Sequence, residues 1–509
     1  MRLLYALVII TLLLVGCGHP AQAPTPFPTA IRESAQSITL PPTSSPLMPP
    51  TPTPPTSTPG PIPVASPLPI RISPSPSPAL WPTPSPLPSD VITRILTPVT
   101  TPLPKPPRSS TRLQDYYLRL VTHLVNRFHG DLGAVQRAYL AAVTQAWEGL
   151  TSDRIPQVVG VHDDLDGDGE EELLVFVPLV GEQCGIASQC PYIGVLFEQE
   201  QAFWAPRVVL TGKNDMRLSL VRVRSISDAN NDGKAEVVFL SEIRGAHTDF
   251  VQVWIGQWGG EVWRYLMAHP VVMAFARVEM RDWDGNGLVD ILVRGGIVAS
   301  VGAGLQREHT LVLAWRHGAY QIIADVPEAS DHPYFLMLDA NWALANREWQ
   351  RAEGLAANAW VGLQTAWDAP DTFPGEEDEW LPPQPHRSRL LAYVGIERML
   401  ALLALGRENQ AHAVLVDLEA TAQASQNPYR QAARRLWETY LRTGDLVTAC
   451  TAMERDILAH PESIAFYPWY GYNMERLGAE NVCPLDGRTL PVQDQFWLRG
   501  IRGPVEGSP

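Results

Sequence analysis

Basic residues are few in this chain. Its 39 Lys and Arg residues are outnumbered by 54 Asp and Glu residues, which gives a formal net charge of -15 at pH 7. A protein that binds nucleic acid or anionic lipid needs a basic face that releases counterions or contacts head groups. The charge therefore argues against general nucleic-acid binding, whereas it suits calcium binding and solubility.

Motifs of common catalytic centres are also missing. The sequence has no HExxH, no GxSxG and no GxxxxGK[ST], and its 12 His residues are scattered without metal-ligand spacing. We therefore expect no catalytic residues and favour a non-enzymatic protein.

Long apolar runs are absent except at the N-terminus. Residues 3–15 are apolar apart from Thr11, and this run is too short for a membrane-spanning helix, which needs about 20 residues. Residues 1–16 are therefore predicted to be a cleaved export signal. The stretch "LVGC", residues 14–17, resembles the lipobox of bacterial lipoproteins. That resemblance implies lipidation of Cys17, attachment to a bacterial membrane through the lipid alone, and an extracytoplasmic location, with the cell surface expected. An ordinary signal peptide cut elsewhere is the alternative.

Cysteine is scarce too, with five residues in the chain. Export makes disulfides possible. Cys184 and Cys190 lie six positions apart in a loop-like stretch, so we predict a local disulfide between them. Cys450 and Cys483 could pair only if the last helical segment folds back, and the sequence leaves this open.

Proline is concentrated in one segment. Of 48 prolines, 29 lie between residues 18 and 110, where Ser and Thr are also frequent and charge is nearly absent. Such a composition cannot build a core. We predict that residues 17–110 form a disordered linker that holds the body away from the membrane.

The rest of the chain is predicted to be multidomain α+β. Apolar residues at helical spacing predict a helical hairpin over residues 111–150. Short runs rich in Val, Ile, Phe and Trp, separated by turn residues, predict an antiparallel β domain over 151–329. Helical spacing returns over 330–484 as a solenoid of helical hairpins, and the tail 485–509 is uninformative.

An acidic motif recurs three times in the β domain, as "DLDGDGEEEL", "DANNDGKAEV" and "DWDGNGLVDI" at intervals of 64 and 54 residues. A repeat of this kind indicates a repeated supersecondary unit. Each unit can be divided into a strand, the acidic loop, a second strand and a hairpin, which is typical of a propeller blade. Because closed propellers have about four to eight blades, either a further blade is cryptic or three sheets stack openly.

Each acidic loop is a candidate calcium site. Oxygens at positions one, three and five can converge on an ion while the glycine at position six allows the turn, and an acid at position nine completes the shell. Oxygen ligands of this kind disfavour zinc or copper. We predict about three Ca²⁺ sites with these ligands: Asp164, Asp166, Asp168 and Glu172; Asp228, Asn230, Asp232 and Glu236; Asp282, Asp284, Asn286 and Asp290.

The loops differ from an EF-hand, which requires a bidentate Glu at position twelve. That position holds Val175, Phe239 or Val293 in strand-like runs. The loops instead resemble those of FG-GAP and VCBS-type repeats over residues 157–326, although the "FG" and "GAP" signatures are absent. This resemblance implies calcium-stabilised β repeats.

The helical region resembles tetratricopeptide repeats. In "ARRLWETYLRTGDLVTACTAMERDILAHP", small, aromatic, turn and stop residues fall at the positions typical of that family, and "ERMLALLALGRENQAHAVLVDLEA" is a second copy with Gly406 and Ala411. The resemblance implies paired helices that present a groove for peptides.

Three functions remain open, one of which is a solute-binding or sensor lipoprotein, for which the linker is unusually long. We favour a lipid-anchored, calcium-stabilised binding or scaffold protein whose β and helical repeats contact a protein or glycan partner. The alternative is a surface hydrolase acting on polysaccharide or phosphoester. Paired carboxylates that lie outside the calcium loops and converge in one pocket would favour the hydrolase.

Overall fold

A computed structural model provides the structure of the protein. It describes residues 70–71, 83–96, 110–147, 155–181, 190–211, 218–245, 247–300, 303–364, 384–420, 427–460, 473–475, 477 and 481–485. All of them belong to one compact unit, Pro63–Pro509. The predictions for residues 1–16, Cys17, Cys184 and residues 486–509 lie outside the described residues.

The described chain is mixed α+β, as predicted. Its nine helices are α1 (Ser89–Leu96), α2 (Ser110–Arg127), α3 (Leu132–Ala146), α4 (Pro333–Ala345), α5 (Trp349–Gln364), α6 (Gln384–Ala404), α7 (Glu408–Ala420), α8 (Pro428–Thr443) and α9 (Leu446–Leu458). Among the described residues, no helix combines the length and the apolar character that crossing a bilayer requires.

Fourteen strands form three antiparallel sheets in the described chain. The strands are β1 (Ile70–Arg71), β2 (Val159–Asp163), β3 (Glu172–Pro178), β4 (Tyr192–Glu200), β5 (Phe203–Leu210), β6 (Arg222–Ser227), β7 (Glu236–Arg244), β8 (Asp249–Trp258), β9 (Trp263–Tyr265), β10 (Val271–Ala274), β11 (Arg277–Arg281), β12 (Asp290–Gly295), β13 (His309–Arg316) and β14 (Ala319–Pro327). The first sheet has the order β2-β3-β4-β5, the second β6-β7-β8-β10 with β9 beside β8, and the third β11-β12-β13-β14-β1.

The sheets are layered because their central strands are apolar on both faces. In β3, Leu173, Val175 and Val177 share a core with α2 and α3, whereas Leu174 and Phe176 share one with the second sheet. The strand is therefore buried along its whole length. Such continuous apolar runs are expected only where both faces of a strand are covered.

The second sheet repeats this arrangement. Phe239 of β7 packs on Phe176 of the first sheet with ring centroids 5.0 Å apart, while Val238 on the opposite face shares a core with Ile291 and Val293 of the third sheet. The layers therefore follow the order helices, first sheet, second sheet, third sheet.

Part of the predicted linker is structured. The backbone N–H of Leu87 donates to the carbonyl of Arg207 in β5 at 2.9 Å, and Leu87 and Val91 pack on the core shared by α2 and the first sheet. Strand β1 pairs with β14. The expectation of a disordered segment therefore does not hold for residues 70–71 and 83–96, because sparse apolar residues among the prolines find a surface on which to be buried.

Each helix after β14 contacts the next helix along the chain. Helix α8 ends at Gly444, which has a left-handed backbone with φ 65°, and Gly406 after α6 has φ 70°. Ala411, Ala433 and Ala449 are fully buried between helices. Small side chains at these positions let the helices approach closely.

A short C-terminal segment joins the helices to the third sheet. Cys450 of α9 forms a disulfide with Cys483, so the segment does fold back onto the helices. Glu475 lies in this segment. Its carboxylate accepts hydrogen bonds from Arg307 at 3.1 Å and contacts His309 at 2.6 Å.

The Glu475 contacts belong to a buried charge cluster. Arg307 also donates to Asp339 at 2.9 and 3.0 Å, and His309 contacts Asp325 at 2.7 Å. Burial alone would raise the pKa of Glu475, but the charges of Arg307 and His309 outweigh it and lower that pKa to about 2. Burial likewise opposes protonation of His309, yet its two carboxylate neighbours raise its pKa to about 10. Glu475 and His309 are therefore both ionised at neutral pH.

We expect Glu475→Gln to destabilise the protein by about 3–5 kcal/mol, because it leaves Arg307 and His309 buried with too few acceptors. Urea unfolding of the full chain measures this loss. Glu328→Gln is the matched control, since Glu328 pairs with Arg294 at the surface and such pairs contribute about 0–1 kcal/mol. Equal, small effects of both substitutions would contradict a structural role for the cluster.

Candidate metal sites in the acidic loops

The three acidic loops occupy equivalent places in the three sheets. Each connects the first strand to the second: β2 to β3, β6 to β7, and β11 to β12. The ninth residue of each loop is the first residue of the second strand and is buried, at 3% exposure for Glu172 and 0% for Glu236 and Asp290. The sheet thus fixes one carboxylate at the base of every loop.

The first Asp of each loop organises the turn above that base. Asp164 accepts backbone N–H groups from Gly167 at 2.8 Å and Gly169 at 3.0 Å. Asp228 accepts from the backbone N–H groups of Asp232 and Gly233, and Asp282 from those of Gly285 and Gly287. These bonds curl the backbone around the carboxylates, as expected for Asp in turns.

The turn requires left-handed backbone at two positions in each loop. The sixth residue is Gly with φ between 83° and 91° in all three loops, as the sequence predicted. The fourth residue also has positive φ, and here Gly167, Asn231 and Gly285 are found. We did not predict this second requirement, although Gly and Asn are the residues that tolerate it.

The ninth acid uses one oxygen to hold the loop. The backbone N–H of Leu165 donates to Glu172 at 2.8 Å, that of Ala229 to Glu236 at 2.8 Å, and that of Trp283 to Asp290 at 2.9 Å. The second oxygen of Glu236, Oε1, accepts from the side-chain amides of Asn230 and Gln257.

Neighbouring loops are joined by the same backbone bond. The N–H of Ala235 in the second loop donates to the carbonyl of Leu165 in the first at 3.0 Å, and the N–H of Val289 in the third donates to the carbonyl of Ala229 in the second at 3.0 Å. The loops therefore form a stack along one edge of the layered sheets, which concentrates their negative charge.

Two of the predicted ligand sets converge. Carboxylate oxygens lie within 4.8 Å of one another in each of two clusters, which could hold a metal ion: Asp164, Asp166 and Glu172; Asp282, Asp284 and Asp290. In the cluster of the third loop, Oδ1 of Asp290 is buried and has no hydrogen-bond partner among the described residues. A buried carboxylate oxygen without a partner is costly, and a cation among these oxygens would remove that cost.

The remaining predicted ligands are arranged differently. Asp168 lies outside the first cluster, and its Oδ1 accepts from the N–H of Glu170 at 2.8 Å. Asn286 of the third loop accepts from the N–H of Leu288 at 2.7 Å. In the second loop, Asp228, Asn230, Asp232 and Glu236 are present as predicted, but amide groups lie among their oxygens.

The loops raise the pKa of their buried acids. Burial is the largest cause for Glu172, with Asp166 and Asp168 adding to it, and together they outweigh the N–H of Leu165 and raise its pKa to about 7. Burial, followed by Asp232, raises the pKa of Glu236 to about 7 in the same way. Burial also raises the pKa of Asp290. The folded protein without a cation therefore penalises ionisation of these acids.

Two basic side chains near the loops were not predicted. Arg316 of β13 donates to Oδ2 of Asp284 at 2.5 Å and so neutralises part of the carboxylate cluster in the third loop. Lys234 of the second loop donates to the carbonyl of Gly259 at 3.2 Å. Arg316 lies 32 residues after Asp284 in the sequence, so only the pairing of β12 with β13 brings the two together.

A cavity of about 410 Å³ adjoins the first loop and is strongly acidic. Beyond the loop residues it is lined by Glu198, Glu200 and Glu261, together with Arg207. Arg207 pairs with Glu198 at 2.6 Å and Glu200 at 2.5 Å. Carboxylates outside the loops therefore do converge in one pocket, although an arginine already holds two of them.

The predicted Cys184–Cys190 disulfide can be followed on one side only. Cys190 is buried and disulfide-bonded, whereas Cys184 lies outside the described residues.

Comparison with protein-family models, curated proteins and solved structures found no match for this chain.

We expect the metal-free protein to lose stability as the pH rises from about 4.5 to about 7, the interval between the ordinary and the folded pKa of Glu172 and Glu236. In this interval the folded state retains protons that the unfolded state has released, so stability falls with increasing pH. Thermal unfolding of the full chain in metal-free buffers measures the slope.

Glu172→Gln should flatten that slope, because it removes one of the two acids. Glu170→Gln, which alters an exposed carboxylate of the same loop, should leave it unchanged. An identical slope in wild type and Glu172→Gln would contradict the raised pKa.

Proposed function

We propose that the first and third acidic loops bind Ca²⁺ and that the ions fix the edge of the layered sheets. The observation that carries this proposal is the pair of carboxylate clusters, one of which contains the buried Oδ1 of Asp290, which no described residue contacts by a hydrogen bond. The residues that would hold the ions are Asp164, Asp166 and Glu172, and Asp282, Asp284 and Asp290. A bound ion would supply charge neutralisation and cross-linking rather than reaction chemistry.

The donor set favours calcium over other metals. All the clustered atoms are carboxylate oxygens, which suit hard cations and disfavour zinc or copper. Calcium accepts about six to eight oxygens in flexible geometry, including backbone carbonyls and water. Three clustered carboxylates on a turn that is open to solvent fit that preference better than a closed octahedral cage.

We further propose that the chain is a binding or scaffold protein for a protein or glycan partner. Three propeller-blade-like sheets stacked openly and a solenoid of helical pairs similar to tetratricopeptide repeats would present extended surfaces. Support comes from large apolar side chains exposed on four of the helices: Val361, Val416, Leu441, Val447 and Leu458. Apolar side chains at a surface are common in partner interfaces.

Attachment to the outer face of a bacterial membrane through Cys17 completes this proposal. The support is the lipobox-like "LVGC" together with the proline-rich segment that follows it. Two or more acyl chains would give a stable anchor.

A surface hydrolase is the second candidate, and the acidic cavity beside the first loop favours it. Glu198 and Glu200 there could act on a glycosidic or phosphoester bond. Hydrolysis of aryl glycosides or aryl phosphodiesters by the full chain, abolished by Glu198→Gln, would favour this candidate over a binding protein.

We expect calcium to raise the thermal midpoint of the full chain relative to chelator, since each site saturated 100-fold above its Kd adds about 2.7 kcal/mol. Asp164→Asn and Asp282→Asn should each remove part of that rise. Differential scanning calorimetry in calcium and in EGTA measures it.

The control is Glu170→Gln, which removes one negative charge from the first loop without touching the cluster. It should retain the full calcium response. A midpoint that does not depend on calcium in the wild-type protein would overturn the proposed sites.

A further inference from the structure

The residue across from the ninth acid differs among the three sheets. In the first sheet Glu172 of β3 pairs with Glu198 of β4, and in the second Glu236 of β7 pairs with Gln257 of β8. In the third sheet the pairing of β12 with β13 ends at Ile291 and Leu313, and one further step of the same register corresponds to Asp290 and Ala314. The residue at this position on the third strand is therefore a carboxylate in the first sheet, an amide in the second and a methyl group in the third.

The amide of Gln257 reaches into the second loop. Its Nε2 lies 3.0 and 2.9 Å from the two carboxylate oxygens of Asp232 and 2.8 Å from Oε1 of Glu236. The side-chain amide of Asn230 adds donors to Asp232 at 3.2 Å and to Glu236 at 3.0 Å. Oxygens of the proposed ligand set are therefore already satisfied by N–H groups.

The orientation of the Gln257 amide follows from its surroundings. Rotating the amide by half a turn would place its oxygen against three carboxylate oxygens, which is repulsive, so the hydrogen-bond network assigns the nitrogen to this side. Gln257 is 8% exposed, and its strand is hydrogen-bonded on both sides by β7 and by β9 or β10. The backbone therefore cannot carry the amide away from the loop.

We propose that Gln257 replaces the cation in the second loop, so that the protein binds two divalent ions rather than three. This inference rests on the proposed calcium sites in the first and third loops. An ion in the second loop would need the oxygens of Asp232 and Glu236 at about 2.3–2.6 Å, the space that the Gln257 amide occupies.

The third loop has no side-chain amide at the position that Gln257 occupies in the second sheet. Ala314 cannot reach Asp290, and Oδ1 of Asp290 is the buried oxygen without a hydrogen-bond partner among the described residues. In the first loop, Glu198 adds no donor, and its own Oε2 accepts from Arg207 at 2.6 Å. The two flanking loops thus retain carboxylates for an ion, and the middle loop does not.

The second loop lies between the first and the third loop in the stack. Backbone hydrogen bonds join it to the first loop through Ala235 and to the third through Ala229. A middle loop closed by an amide remains formed at any calcium concentration. It therefore keeps the outer loops in place when their ions leave.

Equilibrium dialysis of the metal-free full chain against calcium gives the number of bound ions. We expect two in wild type, one in Asp164→Asn, one in Asp282→Asn, and still two in Asp228→Asn. A loss of one ion in Asp228→Asn, or three ions in wild type, would overturn the amide replacement while leaving calcium binding intact. No bound ion in wild type would instead overturn the proposed function.

Opening the second loop provides the converse test. Gln257→Ala copies the third sheet and Gln257→Glu copies the first, so each should raise the number of bound ions from two to three. Gln252→Ala, which alters another buried glutamine of β8, should leave it at two. Two ions in both Gln257 variants, with native far-ultraviolet circular dichroism, would overturn the inference.

Discussion

Repulsion between carboxylates at the start of buried strands is the constraint on which the β region depends. Two carboxylates about 4 Å apart repel by roughly 4 kcal/mol at an effective dielectric near 20, and each of the two clusters holds three within 4.8 Å. The sheets fix these groups in place because the ninth acid begins a buried strand. The fold therefore relieves the repulsion either by keeping protons on the buried acids or by supplying other positive partners to the oxygens.

The chain supplies those partners in two ways. In the second loop they are amide N–H groups from Gln257 and Asn230. In the third loop Arg316 contributes one partner, and Oδ1 of Asp290 accepts no hydrogen bond within the part of the chain that the structure describes. Since the three loops are joined by backbone hydrogen bonds, the state of each loop affects the edge shared by all three sheets. Divalent ions in the outer loops would thus act on the whole β region.

Local sequence patterns predicted much of this architecture. The spacing of the acidic motifs indicated three antiparallel units, and the apolar run after each motif placed the ninth acid at a strand. The glycine at position six was expected to allow the sharp turn, and in all three loops it has left-handed backbone. These features depend on residues close together in sequence, so a single chain reveals them.

Contacts between residues that are far apart in the sequence were not predicted. Gln257 lies 21 residues from Glu236 and Arg316 lies 32 residues from Asp284, and only strand pairing brings them to the loops. The same reason applies to Glu475, which is 168 residues from Arg307. Structure within the proline-rich segment escaped prediction because burial of Leu87 and Val91 needs a surface built elsewhere in the chain.

Terbium luminescence tests the central claim most directly, because terbium(III) occupies oxygen-rich calcium sites and emits when a nearby tryptophan is excited. Trp283 is the second residue of the third loop. We expect sensitised emission from the full chain that excess calcium abolishes and that is lost in the Asp164→Asn, Asp282→Asn double variant. Emission that is absent from the wild-type protein, or that persists unchanged in the double variant, would contradict the account.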